Sequence, residues 1–320
     1  MNIHQHTLHE PRLLIEIESF TKRIINNGLN RKDLPELVRL LDAFEQIYSC
    51  NHVYADYVGL FEFLASYEFY GFKQMQDGQY TYVSLLEISD WLLHAYSWSF
   101  QVNKKKVLSD LRQYKFGVKG RLEKLRTAVE KLFNRYSCNL IVRVDLKYDP
   151  DKQYLVNIEI FHEHVKKLCN RMANKDKCFK YLRFNAWCLE QAPEGGYHIH
   201  LFLIYDGSQR NYDFKLAQWV CKEWENEITK GLGKSWNCNI NKNSQKDSPE
   251  NMNGICNLND KNRRVTGYLR GLGKIDRNDP RGMERLEAAY CYLAIFDEMK
   301  IGQRLRVRLK GMRAFGCSSC

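Results

Sequence analysis

Two histidines separated by a single residue, His198 and His200, open the apolar segment HIHLFLIY. The β-branched and aromatic residues of this segment predict a strand. In a strand, residues i and i+2 point to the same face. Both imidazoles are therefore expected side by side on one face of a sheet, where they could bind one metal ion.

Glu190 is the candidate third ligand. It ends the preceding predicted strand, YLRFNAWCLEQ, and the short connection QAPEGG makes the two strands an antiparallel hairpin. If the hairpin closes around Pro193–Glu194, Glu190 lies nearly opposite His198. Two imidazoles and one carboxylate form an open site for a borderline-hard divalent cation, so we expect Mg²⁺ or Mn²⁺. The alternative is a pair of histidines that faces solvent and binds no metal.

The sequence contains two further His-x-His pairs. His4 and His6 lie near the N-terminus, whereas His162 and His164 lie in the segment FHEHVKK, which has helical periodicity. Successive helical residues turn by about 100°, so positions two apart lie on nearly opposite faces. We therefore interpret His162 and His164 as surface or capping residues and not as a metal site.

A bound divalent cation could polarise a phosphoryl oxygen, and cleavage of a phosphodiester would then require a nucleophile. The late helical segment AAYCYLAIFDEMK carries Tyr290 and Tyr292. Because these two tyrosines are two residues apart on a helix, only one of them can face the metal site. A tyrosine nucleophile would retain the bond energy as a phosphotyrosine and permit later religation.

The elements that position these residues begin near Ser137. From there the periodicity predicts the order β-α-β-β-α-β followed by an extra helix, which is the split βαβ arrangement of an antiparallel sheet with helices on one face. RNA-recognition modules share this general layout. The polar, asparagine-rich segment 241–262 is interpreted as a loop insertion.

The chain before this point has a different character. From about Glu10 to Lys131 it is almost entirely helical in periodicity, with a stop at Asn27–Gly28. We therefore predict an α+β protein with an all-α N-terminal domain over residues 1–136 and the sheet domain over residues 137–320.

The net charge of +11 favours association with nucleic acid or another polyanion. In QRLRVRLKGMR the basic residues alternate, so an extended strand would present them as one basic edge toward phosphates. No apolar segment is long enough to cross a membrane. The odd number of cysteines, eleven, indicates reduced thiols, and with no secretory signal we expect a cytoplasmic protein. The residues expected to bind DNA are Arg143, Lys274, Lys300, Arg304, Arg306, Arg308, Lys310 and Arg313.

Four segments in order, LIVRVDLKY, GGYHIHLFLI, YLAIFDE and LRVRLKGMRAFG, resemble the inovirus-type replication proteins of filamentous phages and prophages, which include the YagK/YfjJ C-terminal domain. The histidine pair on a strand, the acidic residue across the hairpin and the tyrosine on a later helix also resemble the wider superfamily of HUH endonucleases. The resemblance covers about Ser137 to Gly316 and implies an HUH-type fold. It does not extend to the helical N-terminal half.

The resemblance implies a role for individual residues. His198 and His200 match the metal-binding pair, Glu190 the acidic ligand, and Tyr292 the nucleophilic tyrosine. Ile295 stands where the family pattern has a lysine, for which Lys300 or Lys274 could substitute. Tyr268, in TGYLRGLGK, is a second candidate nucleophile.

We therefore expect a metal-dependent, single-tyrosine DNA nickase and strand transferase. It would start rolling-circle replication of a phage, prophage or related element through a 5′-phosphotyrosine. The DNA would be a single-stranded or hairpin origin, and a host polymerase would extend the free 3′-hydroxyl. No Walker A motif is present, so a separate helicase is expected. The alternatives are a non-catalytic DNA-binding regulator of a prophage and a hydrolase that uses metal-bound water.

Overall fold

The computed structural model of the protein describes residues 9–68, 73–76, 79–82, 90–193, 195–239, 271–291, 293 and 303–318. The chain divides into two compact units. Unit 1 takes residues 1–114, 154–158 and 305–312, and unit 2 takes residues 115–153, 159–304 and 313–320. None of the helices in the described ranges combines the length and the apolar character that crossing a membrane requires. Every cysteine for which the structure describes a state is a free thiol.

Unit 1 is built mainly from helices that bury one apolar face. Phe61 packs edge-on against the rings of Phe20 and Phe44, at centroid distances of 6.4 and 5.6 Å. The first helix ends where the sequence predicts, because Gly28 adopts a φ of 78° that favours glycine. The elements of unit 1 are α1 (Glu10–Asn27), α2 (Leu34–Ile47), β1 (His52–Tyr54), α3 (Asp56–Glu68), β2 (Lys73–Gln76), β3 (Gln79–Tyr82), the first part of α4 (Asp90–Arg135) and β9 (Val307–Leu309).

The N-terminal half is mainly helical, as predicted, but its described residues include three short strands, so it is not all-α. Strands β2 and β3 pair as an antiparallel hairpin. The sequence carries the signal for it, the dipeptide Asp77–Gly78 between two polar-aromatic segments. Strand β1 pairs with β9, with His52 opposite Leu309. No local periodicity can reveal that pairing, because the partner strand lies some 250 residues later in the chain.

Unit 2 is an antiparallel sheet in the strand order β10-β5-β6-β4-β7, with β8 also paired to β4. The predicted β-α-β-β-α-β order is observed from β4 to β7. The segment 241–262 lies outside the described residues. The elements of unit 2 are the end of α4, β4 (Cys138–Tyr148), α5 (Ile158–Asn174), β5 (Leu182–Ala192), β6 (Gly196–Asp206), α6 (Asp213–Lys222), β7 (Gly233–Asn237), β8 (Gly273–Asp276), α7 (Pro280–Cys291) and β10 (Phe315–Cys317).

Helices cover both faces of this sheet, and not one face as the sequence predicts. On the first face, Tyr197 stacks on Phe161 of α5 at 5.0 Å, and Tyr148 packs on Trp224, just beyond α6, at 5.7 Å. On the second face, the end of α4 and helix α7 pack over Phe202 and the neighbouring buried residues of the strands. Strand β6 places His198 and His200 on this second face. They lie four and two residues before Phe202, so the three side chains point to the same side of the strand.

Candidate metal centre

The β5–β6 hairpin places the three predicted ligands together. Its register sets Glu190 directly opposite His198 and Cys188 opposite His200. Directly opposite residues of an antiparallel pair share a face, as do residues two apart on one strand. The predicted convergence of Glu190, His198 and His200 is therefore confirmed, and their candidate ligand atoms all lie within 4.8 Å of one another.

One carboxylate oxygen is the centre of the cluster. Glu190 Oε2 lies 3.1 Å from Nε2 of His200 and 3.3 Å from Nε2 of His198. The two imidazole rings are nearly perpendicular, with centroids 5.1 Å apart. Glu190 and His200 are each only 6 % exposed, while the His198 side chain is 13 % exposed. The cluster is thus almost buried, and His198 is its most exposed member.

The other nitrogen of each imidazole faces an acceptor. His200 Nδ1 lies 2.7 Å from Oδ1 of Asp145, and His198 Nδ1 lies 3.3 Å from the carbonyl oxygen of Gly196. Because a carboxylate and a carbonyl only accept hydrogen bonds, each Nδ1 carries the donated hydrogen. In the neutral imidazoles, the lone pairs of both Nε2 atoms then point at Glu190. Metal-binding histidines have this pattern, in which a second acceptor fixes the tautomer and the ring orientation.

This donor set fits a divalent cation. Two imidazole lone pairs and a carboxylate oxygen that converge at about 3 Å repel one another unless positive charge lies among them, from protons or from a metal ion. Adjacent ligands of an octahedral ion with bonds of about 2.1 Å lie roughly 3 Å apart, close to the two Glu190 distances. The residues that would hold the ion are Glu190, His198 and His200.

Asp145 is a member of the site that the sequence analysis did not identify. It lies directly opposite His200 in the β4–β6 register. Burial alone would raise the pKa of Asp145, but the Arg143 guanidinium, 3.4 Å away, and the His200 ring outweigh it and hold the pKa well below its ordinary range. Asp145 therefore carries a negative charge at neutral pH and accepts the hydrogen bond that orients His200. The alternation in NLIVRVDLKY places Asp145 on the polar face of β4, but the register that brings it to His200 could not be read locally.

The candidate nucleophiles are less well placed or lie outside the described residues. Tyr290 is only 4 % exposed and packs its ring against Phe202 at 6.1 Å, as part of the core of the sheet. Burial and the nearby Glu287 raise the pKa of Tyr290 above its ordinary value. A buried phenol of this kind is a poor nucleophile. Tyr292 and Tyr268 lie outside the described residues, as do Ile295 and Lys300.

The predicted basic edge does not form as one strand. Only Val307–Leu309 is extended, and it pairs with β1 in unit 1. Arg306 is buried in an ion pair with Glu18 of the same unit. Lys310 and Arg313 are exposed, and Arg308 is half-buried. Because the strand is only three residues long and pairs with β1, the basic residues at alternate positions do not share one exposed face.

Three other predicted DNA-binding residues have different surroundings. Arg304 is 3 % exposed and forms an isolated antiparallel bridge with Glu190, which places both side chains on one face. Arg143 is committed to Asp145. Lys274 of β8 is exposed, and its Nζ donates a hydrogen bond to the Asn211 side chain at 3.1 Å.

The helical pair is separated as its spacing predicts, but it is not a surface pair. His164 is buried at 7 % exposure, and its Nδ1 lies 2.9 Å from the Tyr148 hydroxyl. His162 is half-buried. The interpretation of His164 as a surface residue is wrong, because α5 turns that side of the helix onto the sheet.

The comparison with family models finds one match. The model of the YagK/YfjJ C-terminal domain, a prophage-associated family, matches residues 101–270, which is just over half of the chain. No curated protein and no solved structure matches the chain. The matched segment contains Asp145, Glu190, both histidines and Tyr268, but it ends before Tyr292. The chain therefore belongs to the YagK/YfjJ C-terminal domain family.

Proposed function

We propose that this protein is a metal-dependent, single-tyrosine DNA nickase and strand transferase of the HUH type, which starts rolling-circle replication of a filamentous phage, prophage or related element. The observation that carries the proposal is the convergence of Glu190, His198 and His200, with His200 oriented by Asp145. A protein that only bound DNA would have no need of three metal-ligand atoms held within 4.8 Å.

Mg²⁺ or Mn²⁺ bound there would polarise an oxygen of the scissile phosphate, which is Lewis-acid chemistry. The protein contributes rigid positioning. Glu190 and the two histidines come from neighbouring strands whose register is fixed by the hairpin, so their donor atoms need little rearrangement on binding. Three protein ligands would leave positions open for the phosphate and water.

In the proposed step, the Tyr292 phenolic oxygen attacks the scissile phosphorus in line. A new bond forms between that oxygen and phosphorus, the bond from phosphorus to the 3′-oxygen breaks, and the phenolic proton leaves to solvent while the 3′-oxygen takes up a proton. The products are a 5′-phosphotyrosine and a 3′-hydroxyl that a host polymerase can extend. Because no bond energy is lost to water, the reverse reaction can reseal the strand.

A residue other than Ile295 can bring positive charge to the phosphate. Ile295 stands where the resemblance implies a lysine, but Arg304 is paired in register with Glu190 and brings a guanidinium to the same face. Among the residues named as substitutes, Lys274 already donates to Asn211. We propose that Arg304 supplies the charge that the lysine would provide.

The second candidate function is a DNA-binding prophage regulator without nicking activity. Two observations favour it: the isoleucine at position 295, and a family match that ends at residue 270, before Tyr292. Both functions require DNA binding, so only a test of chemistry separates them.

The test uses single-stranded, origin-like DNA incubated with the full-length protein and Mn²⁺, followed by denaturing electrophoresis. A covalent protein–DNA adduct that is absent from Tyr292→Phe and from His200→Ala supports the proposal. An adduct that remains in Tyr292→Phe but is lost in Tyr268→Phe assigns the nucleophile to Tyr268. Cleavage without an adduct assigns it to water. Binding without cleavage under any divalent cation overturns the nickase and leaves the regulator.

A further inference from the structure

Trp236 is a large aromatic side chain on the exposed edge of the sheet beside the metal centre. It lies on β7, where it alternates with residues that face α6, and it is 40 % exposed. Ser235, its neighbour, donates a hydrogen bond to Glu225 just beyond α6. Because strand residues alternate, Trp236 points to the other face, which carries the metal ligands.

The register fixes its place relative to that centre. Trp236 lies directly opposite Asp145, and Asp145 lies directly opposite His200. The three residues thus form one row across three strands. Two strand spacings separate Trp236 from His200, roughly 10 Å, which is about three stacked nucleotides at 3.4 Å each.

Two lysines adjoin this row on the same face. Lys147 of β4 and Lys234 of β7 are two residues from Asp145 and Trp236, and they lie directly opposite each other. Like charges in directly opposite positions destabilise a strand pair. In the described part of the chain, no carboxylate forms an ion pair with either ammonium group. An anion bound between them would relieve this repulsion.

We propose that Trp236, Lys147 and Lys234 form a binding surface for single-stranded DNA, which we call the stacking surface. One base stacks on the Trp236 indole, and the flanking phosphates lie against the two lysines. This inference rests on the proposed function and deepens it, because it names the residues that lead the strand to the metal centre. Charge complementarity favours DNA as the ligand, because the surface carries two lysines on a protein with a net charge of +11.

The chemistry of the surface favours an unpaired strand over a duplex. An indole face is accessible only to a base that is not stacked inside a double helix, and stacking of this kind tolerates any base. The lysines recognise phosphate without regard to sequence. The stacking surface therefore supplies affinity and position, and not recognition of the origin sequence.

The test measures binding of a fluorescein-labelled thymidine oligonucleotide of about 16 nucleotides by fluorescence anisotropy in EDTA, with the full-length protein. Trp236→Ala should raise Kd about tenfold, while Trp236→Phe, which keeps an aromatic face, should raise it less than about threefold. Lys234→Ala should lower the slope of log K against log salt by about 0.7. Trp219→Ala is the matched control, since Trp219 is 50 % exposed on α6, on the other side of the sheet, and should leave Kd unchanged.

The outcomes separate this inference from the proposed function. Unchanged affinity in a folded Trp236→Ala protein overturns the stacking surface, even if Mn²⁺ still yields adducts with the wild type. An equal loss of affinity for a blunt duplex also overturns it, because a duplex offers no base to stack. A loss confined to the single strand supports it, even if no divalent cation produces a nick. Circular dichroism of each variant confirms folding.

Discussion

The two described His-x-His pairs have the same spacing in sequence, but only one of them brings its imidazoles together. His198 and His200 lie on a strand, and their Nε2 atoms meet at one oxygen of Glu190. His162 and His164 lie on α5, where one side chain is buried and the other is half-buried. Spacing in sequence alone therefore does not predict a metal site, because the rotation per residue of the helix or strand decides whether two side chains converge.

The two pairs also differ in what surrounds each imidazole. His200 lies between two carboxylates, Glu190 and Asp145, whose negative charges attract a cation to this position. His164 lies against the Tyr148 hydroxyl and the Trp224 ring, in surroundings with no carboxylate contact among the described residues. The strand pair is thus prepared to bind a cation, and the buried helical histidine is held neutral.

The largest expected difference between the pairs is in metal affinity. His198→Ala removes one of three protein ligands and leaves two donors. It should weaken Mn²⁺ binding by at least about 100-fold, the upper end of what loss of an outer acceptor costs. His162→Ala should leave it unchanged, since that ring lies on another element and faces none of the ligands. Isothermal titration calorimetry of the full-length protein with Mn²⁺ measures both effects.

His198 is preferred to His200 for this variant because it is the more exposed of the two, so its loss disturbs the fold less. Equal Mn²⁺ affinity in wild type and His198→Ala would contradict the assignment of the site. A loss in His162→Ala of the same size would show that the effect is not local.

A smaller loss is expected when the residue that orients His200 is changed. Asp145→Ala removes the acceptor of the Nδ1 hydrogen, which allows the ring to turn and the tautomer to exchange, and outer acceptors of this kind contribute about 10–100-fold to metal affinity. Asp145→Asn keeps an oxygen acceptor and should recover most of the loss. The same titration with Mn²⁺ reports it.

If Asp145→Ala and Asp145→Asn weaken binding equally, the charge of Asp145 and not its hydrogen bond is what matters. Unchanged affinity in both would contradict its role as the orienting residue.

The local part of the site was predictable, and the long-range part was not. Alternation in HIHLFLIY and the short link QAPEGG are enough to bring His198, His200 and Glu190 together, because all three belong to one hairpin. Asp145 comes from a strand more than 40 residues earlier, and its position opposite His200 depends on the register of β4 against β6. A one-residue shift would have moved it to the other face.

The basic C-terminal segment illustrates a different limit. Its alternation predicts one edge of positive charge, yet Arg304 bridges to Glu190 in unit 2 and Arg306 pairs with Glu18 in unit 1. Alternation specifies faces only while the strand continues, and this strand is three residues long. The carboxylate that pairs with Arg306 is distant in sequence, so charge patterning alone could not reveal that this cation has a structural partner.

The smallest expected effect concerns the helical pair and appears in acid. Burial and the nearby Lys167 lower the pKa of His164 to about 4, from the ordinary value near 6.5. Between these two values the unfolded chain binds a proton that the folded protein does not. Stability should therefore be unaffected by this group above pH 6.5 and should fall as the pH drops from 6.5 toward 4.

His164→Gln removes this titration, and its amide can still contact the Tyr148 hydroxyl, so the variant should lose less stability in acid than the wild type. The difference should be on the order of 1 kcal/mol by pH 5, measured as the free energy of unfolding in urea between pH 7 and pH 5.

His162→Gln, two residues away, is the control for a general change in helix α5 and should keep most of the wild-type dependence of stability on pH. Parallel slopes in wild type and His164→Gln would mean that His164 protonates as readily in the folded protein as in the unfolded chain. The contrast between a histidine pair that attracts a cation and a histidine that excludes one would then rest on geometry alone.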